Sequence, residues 1–331
     1  MNRPLVVVVA KRSMYERFIQ ERSDPKAVAL FQRHDISVAR WRQAHLAHQR
    51  TLKQVQHTLR ALGARLMVLR SPGVVFDASD ASLVVSVGGD GTLLAASHHV
   101  GSIPILGVNS SPVHSVGFFC PAHIGNLAAT LQGALEGSLP SVLLSRMQVS
   151  VNERVCSRRV LNEALFCHAI PAATSRYLVT FDGHTEEQRS SGVWVCTAAG
   201  STGAARSAGG RVLPFGSAKL QLIVREPYLE LRRQPRPAPL QLSSVVFEPP
   251  QSLFLTSKMA DARLYLDGPY RQIPVGLGDR VVCNISDEPL TVFGLGRRRG
   301  APVVAIQRRT ARADVPAKIQ RPRKKARRKP V

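Results

Sequence analysis

The sequence predicts an α/β domain on a parallel sheet, then a β-rich domain of stacked sheets, then a basic tail. Three observations predict this. Over the first hundred residues, fully apolar strands alternate with helical stretches, the pattern of a parallel sheet covered on both faces. After Pro140, short strands follow one another with turn punctuation between them, as in an antiparallel sandwich. From Arg297 to Val331, 14 Lys and Arg stand against the single Asp314, with too little apolar surface to offset the entropy of ordering.

In chain order, "LVVVVA" at 5–10 reads as a buried strand. A long amphipathic helix is expected from Asp35 to Leu62, because Leu52, Val55, Leu59 and Leu62 repeat at three and four and Gly63 stands as a C-terminal cap. "RLMVL" and "SLVVSV" are the next strands. The second runs into "VGGDGTLL", where Gly88, Gly89 and Gly91 tolerate φ > 0 and Thr92 suits the N-cap of a helix reaching about Val100. Such a turn also suits an anion, since glycines let backbone N–H groups approach a phosphate and the helix start adds a positive dipole end. The turn alone leaves both readings open. "IPILGVN" adds a strand ending at Asn109, and ligands of such sheets lie at the C-terminal strand ends. "IGNLAATLQGALEG" puts Ile124, Leu127, Leu131 and Leu135 on one helical face. The later strands are "LLSRMQVSV", "RRVLNEALFC", "YLVTFDG", "SGVWVCTA", "KLQLIV", "SLFLTS", "ARLYLDGPY", "RVVCNIS" and "LTVFGL".

Composition bounds the rest. A hydrophobic fraction of 44% suits a globular chain, and no apolar run approaches the roughly 20 residues of a membrane helix. The first strand begins almost at once, leaving no room for a leader, so a cytoplasmic protein without membrane contact is expected. Five widely spaced cysteines with no C-x-x-C pair read as reduced, mostly buried thiols without a metal site. The net charge of +23 lies mostly in the tail, which is expected to be disordered and to contact nucleic acid or another polyanion.

Three segments carry a resemblance when taken together: the G-G-D-G-T turn, the Asn162-Glu163 pair inside "LNEALF", and "TAAGSTG" at 197–203. In this order they resemble the NAD kinases, and "LYLDG" with Asp267 and Gly268 fits a further motif of that family. The resemblance covers roughly residues 4–296. "VVVVAK" with Tyr15 soon after, "SSG" where an aspartate is usual, and "VREP" look like its mitochondrial-type branch.

The resemblance implies the two-domain plan shared by NAD kinases and diacylglycerol kinases. It divides the chain into 1–120, the phosphate-binding α/β domain, 121–296, the NAD-binding β-rich domain whose last segment returns to the first, and the tail 297–331. It implies transfer of the γ-phosphoryl of ATP to the 2′-hydroxyl of the adenosine ribose of NAD or NADH, giving NADP(H). Such transfer rests on positioning and charge neutralisation, so backbone donors plus Mg²⁺ supply most of what it needs. Asp90 would orient and deprotonate the attacking hydroxyl. Gly88, Gly89, Gly91, Thr92 and Asn109 would hold phosphates. Asn162, Glu163, Ser191, Ser201, Thr202, Ser207 and Asp267 would hold NAD. The Mg²⁺ is expected to come with ATP, without direct protein ligands, and the enzyme is expected to be a homo-oligomer.

Two departures bear on the acceptor: Ser191 replaces the usual aspartate and Ala204 stands where an aromatic ring is common. His98 and His99 read as structural, and Trp41 and Trp194 as core or domain-contact residues. A lipid kinase also carries a G-G-D-G-T loop, but the Asn-Glu pair and the "TAAGSTG" loop match the NAD side. A non-catalytic or altered-substrate relative draws on the two departures and is opposed by Asp90, Asn162, Glu163 and Asp267.

Overall fold

Strand β1 (Leu5–Ala10) buries Val6 to Ala10 completely, because helices cover both faces of its sheet. The computed structural model describes residues 3–71, 73–228 and 240–295; the tail, with its expected disorder and polyanion contacts, lies outside the described residues. After β1 come a π-helical turn at Glu16–Glu21, helix α1 (Pro25–Gln32), helix α2 (Trp41–Ala61), β2 (Arg65–Leu69), β3 (Leu83–Gly88), α3 (Asp90–Ser97), β4 (Ile105–Asn109), α4 (Leu127–Leu135) and β5 (Ser141–Leu144). β2, β1, β3 and β4 are parallel neighbours in that order. On one face Val6, Val8, Val85 and Val108 pack with Leu52, Val55 and Leu59 of α2 and Leu127 and Leu131 of α4. On the other, Val7, Val9, Val84 and Ile105 pack with Leu93 and Ala96 of α3.

Helix boundaries differ from the sequence expectation for local reasons. α2 begins at Trp41, not Asp35, because the Asp35 carboxylate accepts from Ser37 N (2.9 Å) and Ser37 Oγ (2.6 Å) and holds a turn there. α3 spans Asp90–Ser97 with Gly89 as its N-cap residue, so Thr92 lies in the first turn and does not cap it. α4 begins after Asn126, whose side chain accepts from His123 N, leaving Ile124 outside the helix and exposed.

The β-rich part continues with β6 (Met147–Val151), β7 (Arg154–Val160), β8 (Glu163–His168), β9 (Ser175–Phe181), β10 (His184–Ser190), β11 (Val193–Thr197), a short helix α5 (Ala204–Ser207), β12 (Leu220–Val224), β13 (Ser244–Phe247), β14 (Leu253–Ser257), β15 (Ala262–Leu266), β16 (Arg271–Val275) and β17 (Arg280–Ile285). These form two six-stranded sheets, β10-β9-β14-β17-β6-β7 and β13-β12-β11-β8-β15-β16. Their neighbouring strands pair antiparallel, and one apolar core drawn from both sheets lies between them. The last strand, β18 (Leu290–Phe293), joins the first sheet, parallel to β4 and antiparallel to β5.

Two expected single strands are each broken. "LLSRMQVSV" divides into β5 and β6 around Arg146, and "RRVLNEALFC" divides into β7 and β8 at Leu161-Asn162. Each break moves the chain from one sheet to another.

The Arg146 side chain is fully buried where the chain crosses between the two parts. It donates to the carbonyls of Ser97 (3.0 Å) and Val100 (2.8 Å) behind α3, and to those of Glu288 (2.5 Å) and Pro289 (3.4 Å) on the returning segment. Burial and the nearby Arg159 lower its pKa to about 10. It remains charged at neutral pH and is satisfied by main-chain oxygens.

Candidate active site

β3 ends on Gly88 at the C-terminal edge of the parallel sheet, and the chain turns straight into α3. Gly88 and Gly89 are needed for space, not for left-handed backbone: none of Gly88, Gly89 or Gly91 has positive φ, and Gly89 is extended at φ −140°. A Cβ on Gly88 would stand 2.1 Å from Thr92 Oγ1, and one on Gly89 2.5 Å from Ser115 Oγ. Gly91 has open space around it.

Asp90, the first residue of α3, accepts from Phe118 N (2.9 Å) and Phe119 N (2.7 Å), one bond to each carboxylate oxygen. The loop after β4 is thereby folded over the glycine turn. Asn109 secures the same loop, donating to Ser115 O (3.1 Å) and accepting from Ser111 N (3.1 Å). Phe118 and Phe119 pack on Phe215, with ring centres 5.8 and 6.4 Å apart, which joins this loop to the one after α5.

Sequence reasoning left out two neighbours of the turn. Lys11 follows β1, its N–H bonded to Val87 O beside Gly88, and burial lowers the pKa of its ammonium. Buried His48 on α2 meets Ser110 Oγ at 2.9 Å, and burial with the charge of Lys11 pushes its pKa down to about 4, so the ring is neutral. The lysine that ends "VVVVAK", a cation directly after a buried strand, is the signal that could have found Lys11; His48 carried none.

The second group gathers at the break between β7 and β8. Asp267, at φ +51° in the turn after β15, accepts from Leu161 N (2.8 Å), Asn162 N (2.7 Å) and Glu163 N (3.1 Å). Its carboxylate is thus spent on shaping the backbone. Gly200 lies so close to this segment that a Cβ there would stand 2.2 Å from Asn162 O. Asn162 Oδ1 and Glu163 Oε2 are buried with no hydrogen-bond partner. Burial, then the charge of Asp267, raises the Glu163 pKa to about 8. A protonated Glu163 both donates and accepts at neutral pH.

The remaining expected residues divide. Ser201 is buried and used internally, donating to Ala198 O (2.8 Å) and accepting from Leu213 N (3.0 Å). Thr202 follows it in a 3₁₀ turn, and Ser207 is exposed at the end of α5. Ser191 lines a cavity of about 430 Å³ together with Glu163, Cys167, Trp194, Arg225 and Tyr265. Trp194 is therefore a cavity wall as well as a packing residue, with the Arg225 guanidinium 5.6 Å from its ring centre. Trp41 packs against Phe18. Among the described residues, no group of three or more His, Cys, Asp or Glu is placed to hold a metal ion.

The two groups share a core, since Leu93 of α3, Phe119, Leu161 and Ala199 belong to one buried cluster. A backbone-lined turn with a carboxylate therefore stands on the same core as a break with two unpaired polar atoms.

A family model described as the ATP-NAD kinase N-terminal domain matches residues 14–136. The chain is 36% identical over 233 residues to the probable NADH kinase of Oryza sativa subsp. japonica, covering 64% of this chain and 70% of that protein. It is 32% identical to the NADH kinase of Arabidopsis thaliana over 65% of this chain and 73% of that one. With the NAD kinase of Geobacter sulfurreducens the identity is also 32%, over 64% and 72%. Two solved structures share the fold. An NAD kinase from Archaeoglobus fulgidus in complex with ATP aligns with TM-score 0.61 at 21% identity, covering 87% of this chain and 93% of that one. Yeast NADH kinase complexed with NADH aligns with TM-score 0.60 at 15% identity, covering 90% and 85%.

Proposed function

Because the chain belongs to the NAD kinase family, we propose that Asp90 serves its reaction, the ATP-dependent phosphorylation of NAD(H), as the group that orients and deprotonates the 2′-hydroxyl of the adenosine ribose. The observation that carries this reading is the pairing just described. Asp90 stands at the start of α3, and Asn162 Oδ1 and Glu163 Oε2 lie unpaired at the strand break on the same core.

The backbone of Gly88 to Gly91 and the ammonium of Lys11 face the phosphates of ATP, where N–H groups and a cation neutralise charge building on the transferred phosphoryl. Thr92 and Asn109 keep that turn and its covering loop in shape. Asn162 and Glu163 hold the adenosine of the acceptor, and Asp267 fixes both by their backbone. Thr202 and Ser207 border the acceptor from the loop after β11, Ser201 supports that loop from beneath, and Ser191 reaches the acceptor through the cavity it shares with Glu163.

A Mg²⁺ ion fits as a companion of ATP, since such ions keep most of their waters and take one or two carboxylates, and no cage of protein ligands is built among the described residues. It supplies charge neutralisation at the phosphates. The five free thiols suit a reducing compartment such as the cytoplasm.

The test is an acceptor panel. Purified protein with ATP and Mg²⁺ should phosphorylate NAD or NADH and leave diacylglycerol untouched. Lipid phosphorylation without NADP(H) would overturn the assignment.

A further inference from the structure

α3 carries Asp90 at its first residue and ends at Ser97, and the next residue, His98, turns toward the β-rich part. The His98 side chain is only 4% exposed, and its Nε2 lies 3.0 Å from Asp267 Oδ2, itself in a side chain 1% exposed. The approach is close but off the line of a hydrogen bond, leaving both ring nitrogens without a hydrogen-bonded partner. Asp267 Oδ2 also accepts from Leu161 N, while its other oxygen holds the N–H groups of Asn162 and Glu163. A chain of contacts therefore runs from Asp90 along α3 to His98, across to Asp267, and into the backbone of the Asn-Glu pair.

We propose that His98 is a positioning residue, coupling the glycine turn to the acceptor-binding break by bracing Asp267 against the end of α3.

The physical case rests on lengths and supports. α3 has eight residues, about 12 Å at 1.5 Å per residue, so it behaves as a short rigid strut. Its far end is anchored independently: Arg146 bonds the carbonyls of Ser97 and Val100, and Arg159 Nη1 donates to His98 O (3.3 Å). Those contacts fix the His98 backbone and leave its ring one task, to meet Asp267. Asp267 lies in a turn with left-handed backbone, a conformation maintained only where its surroundings over-determine it. Three amide donors hold it from the β7–β8 side, and the imidazole holds it from the α3 side. Without the ring, the polar tie from Asp267 to the end of α3 would be lost, and only the apolar packing of Leu161 in the shared core would link the break to that helix. The distance from Asp90 to Asn162 and Glu163 would then loosen, and misplacement of about 1 Å costs on the order of a hundredfold in a reaction that depends on alignment.

This inference rests on Asn162 and Glu163 facing the acceptor, so its test is a split between substrates. Full-length wild type, His98→Ala and His98→Gln are compared in steady state with ATP and NAD or NADH, with thermal unfolding of each recorded alongside. The Gln amide returns an N–H donor toward Asp267. The expected result is an acceptor KM raised about tenfold in His98→Ala, an ATP KM changed less than twofold, and recovery to within about threefold of wild type in His98→Gln. An unchanged acceptor KM, parallel rises in both KM values, or a Gln variant as impaired as Ala would overturn it. If His98→Ala does not fold, His98→Leu, which keeps bulk without a polar nitrogen, takes its place: an acceptor KM raised about tenfold beside a near-wild-type one in His98→Gln supports the bracing role, and equal values in the two variants contradict it. Failure of wild type to phosphorylate NAD or NADH would instead overturn the functional assignment.

Discussion

Asp90 spends both carboxylate oxygens on the amides of Phe118 and Phe119, so it organises the covering loop as well as facing the turn. Asp90→Asn replaces one acceptor by a donor opposite an N–H, a local cost of about 1–3 kcal/mol. The chemical loss should be larger: a fall of about 10² to 10⁴ in kcat, the scale of a positioned acid-base group, read in steady state on protein with wild-type circular dichroism. At Glu163 the consequence reaches stability. Its folded pKa, raised to about 8 by burial and Asp267, lies above the ordinary carboxylate value of about 4.3. Between those values the folded state binds more protons than the unfolded state, so stability falls as pH rises from about 4.5 to 8 and then levels. Thermal unfolding across this range should show a steeper decline in wild type than in Glu163→Gln. Glu163→Ala should raise the acceptor KM and leave that of ATP nearly unchanged, since lost uniform binding appears in KM. As candidates, Asp90 and the Asn-Glu pair were legible because a lone carboxylate among glycines and a polar pair inside an apolar run both stand out in the sequence. His48, His98 and Arg146 were not, because a lone basic residue acquires its role only from the carbonyls and carboxylates that the fold brings to it.

At the level of elements, the break at Leu161-Asn162 matters more than either flanking strand, since it turns the Asn-Glu backbone toward Asp267. The sequence read that segment as one continuous strand because apolar residues persist through it, and a change of sheet leaves no mark in such a run. Three strands escaped sequence reading altogether: β10, β13 and β16 all lie at sheet edges. An edge strand needs little apolar patterning and tolerates charge and proline, as "HTEEQRS" and "RQIPV" show. The buried strands β1, β3, β11 and β15 were plain for the opposite reason. The crossing at Arg146 is the element-level weak point, because four carbonyls depend on one guanidinium. Arg146→Met should destabilise by about 3–5 kcal/mol through unsatisfied buried oxygens, measured by urea unfolding. A loss under about 1 kcal/mol would mean that water replaces those contacts.

At the scale of the whole molecule, the groups proposed for catalysis and the charge excess lie in different stretches of chain. The segment 297–331 carries 14 of the 45 Lys and Arg and none of the residues assigned to the reaction. Truncation after Gly296 should therefore keep activity within a few-fold while removing most polyanion binding. If about half of the tail cations meet phosphates of duplex DNA, log K for the full chain should fall with log salt at a slope of about −6, and the truncated protein should show a much shallower one. Equal binding by both proteins would shift the basic surface to the body. If the glycine turn and the Asn-Glu break together direct ATP's γ-phosphoryl to one ribose hydroxyl, the reaction is regiospecific. The full-length protein is given ATP, Mg²⁺ and either NAD, 2′-deoxyadenosine-NAD or 3′-deoxyadenosine-NAD, and the products are followed by ³¹P NMR. NAD and the 3′-deoxy analogue should each give one ADP and one new phosphomonoester, and the 2′-deoxy analogue none. Phosphorylation of the 2′-deoxy analogue, or no phosphomonoester from NAD or from NADH in its place, would contradict the assignment.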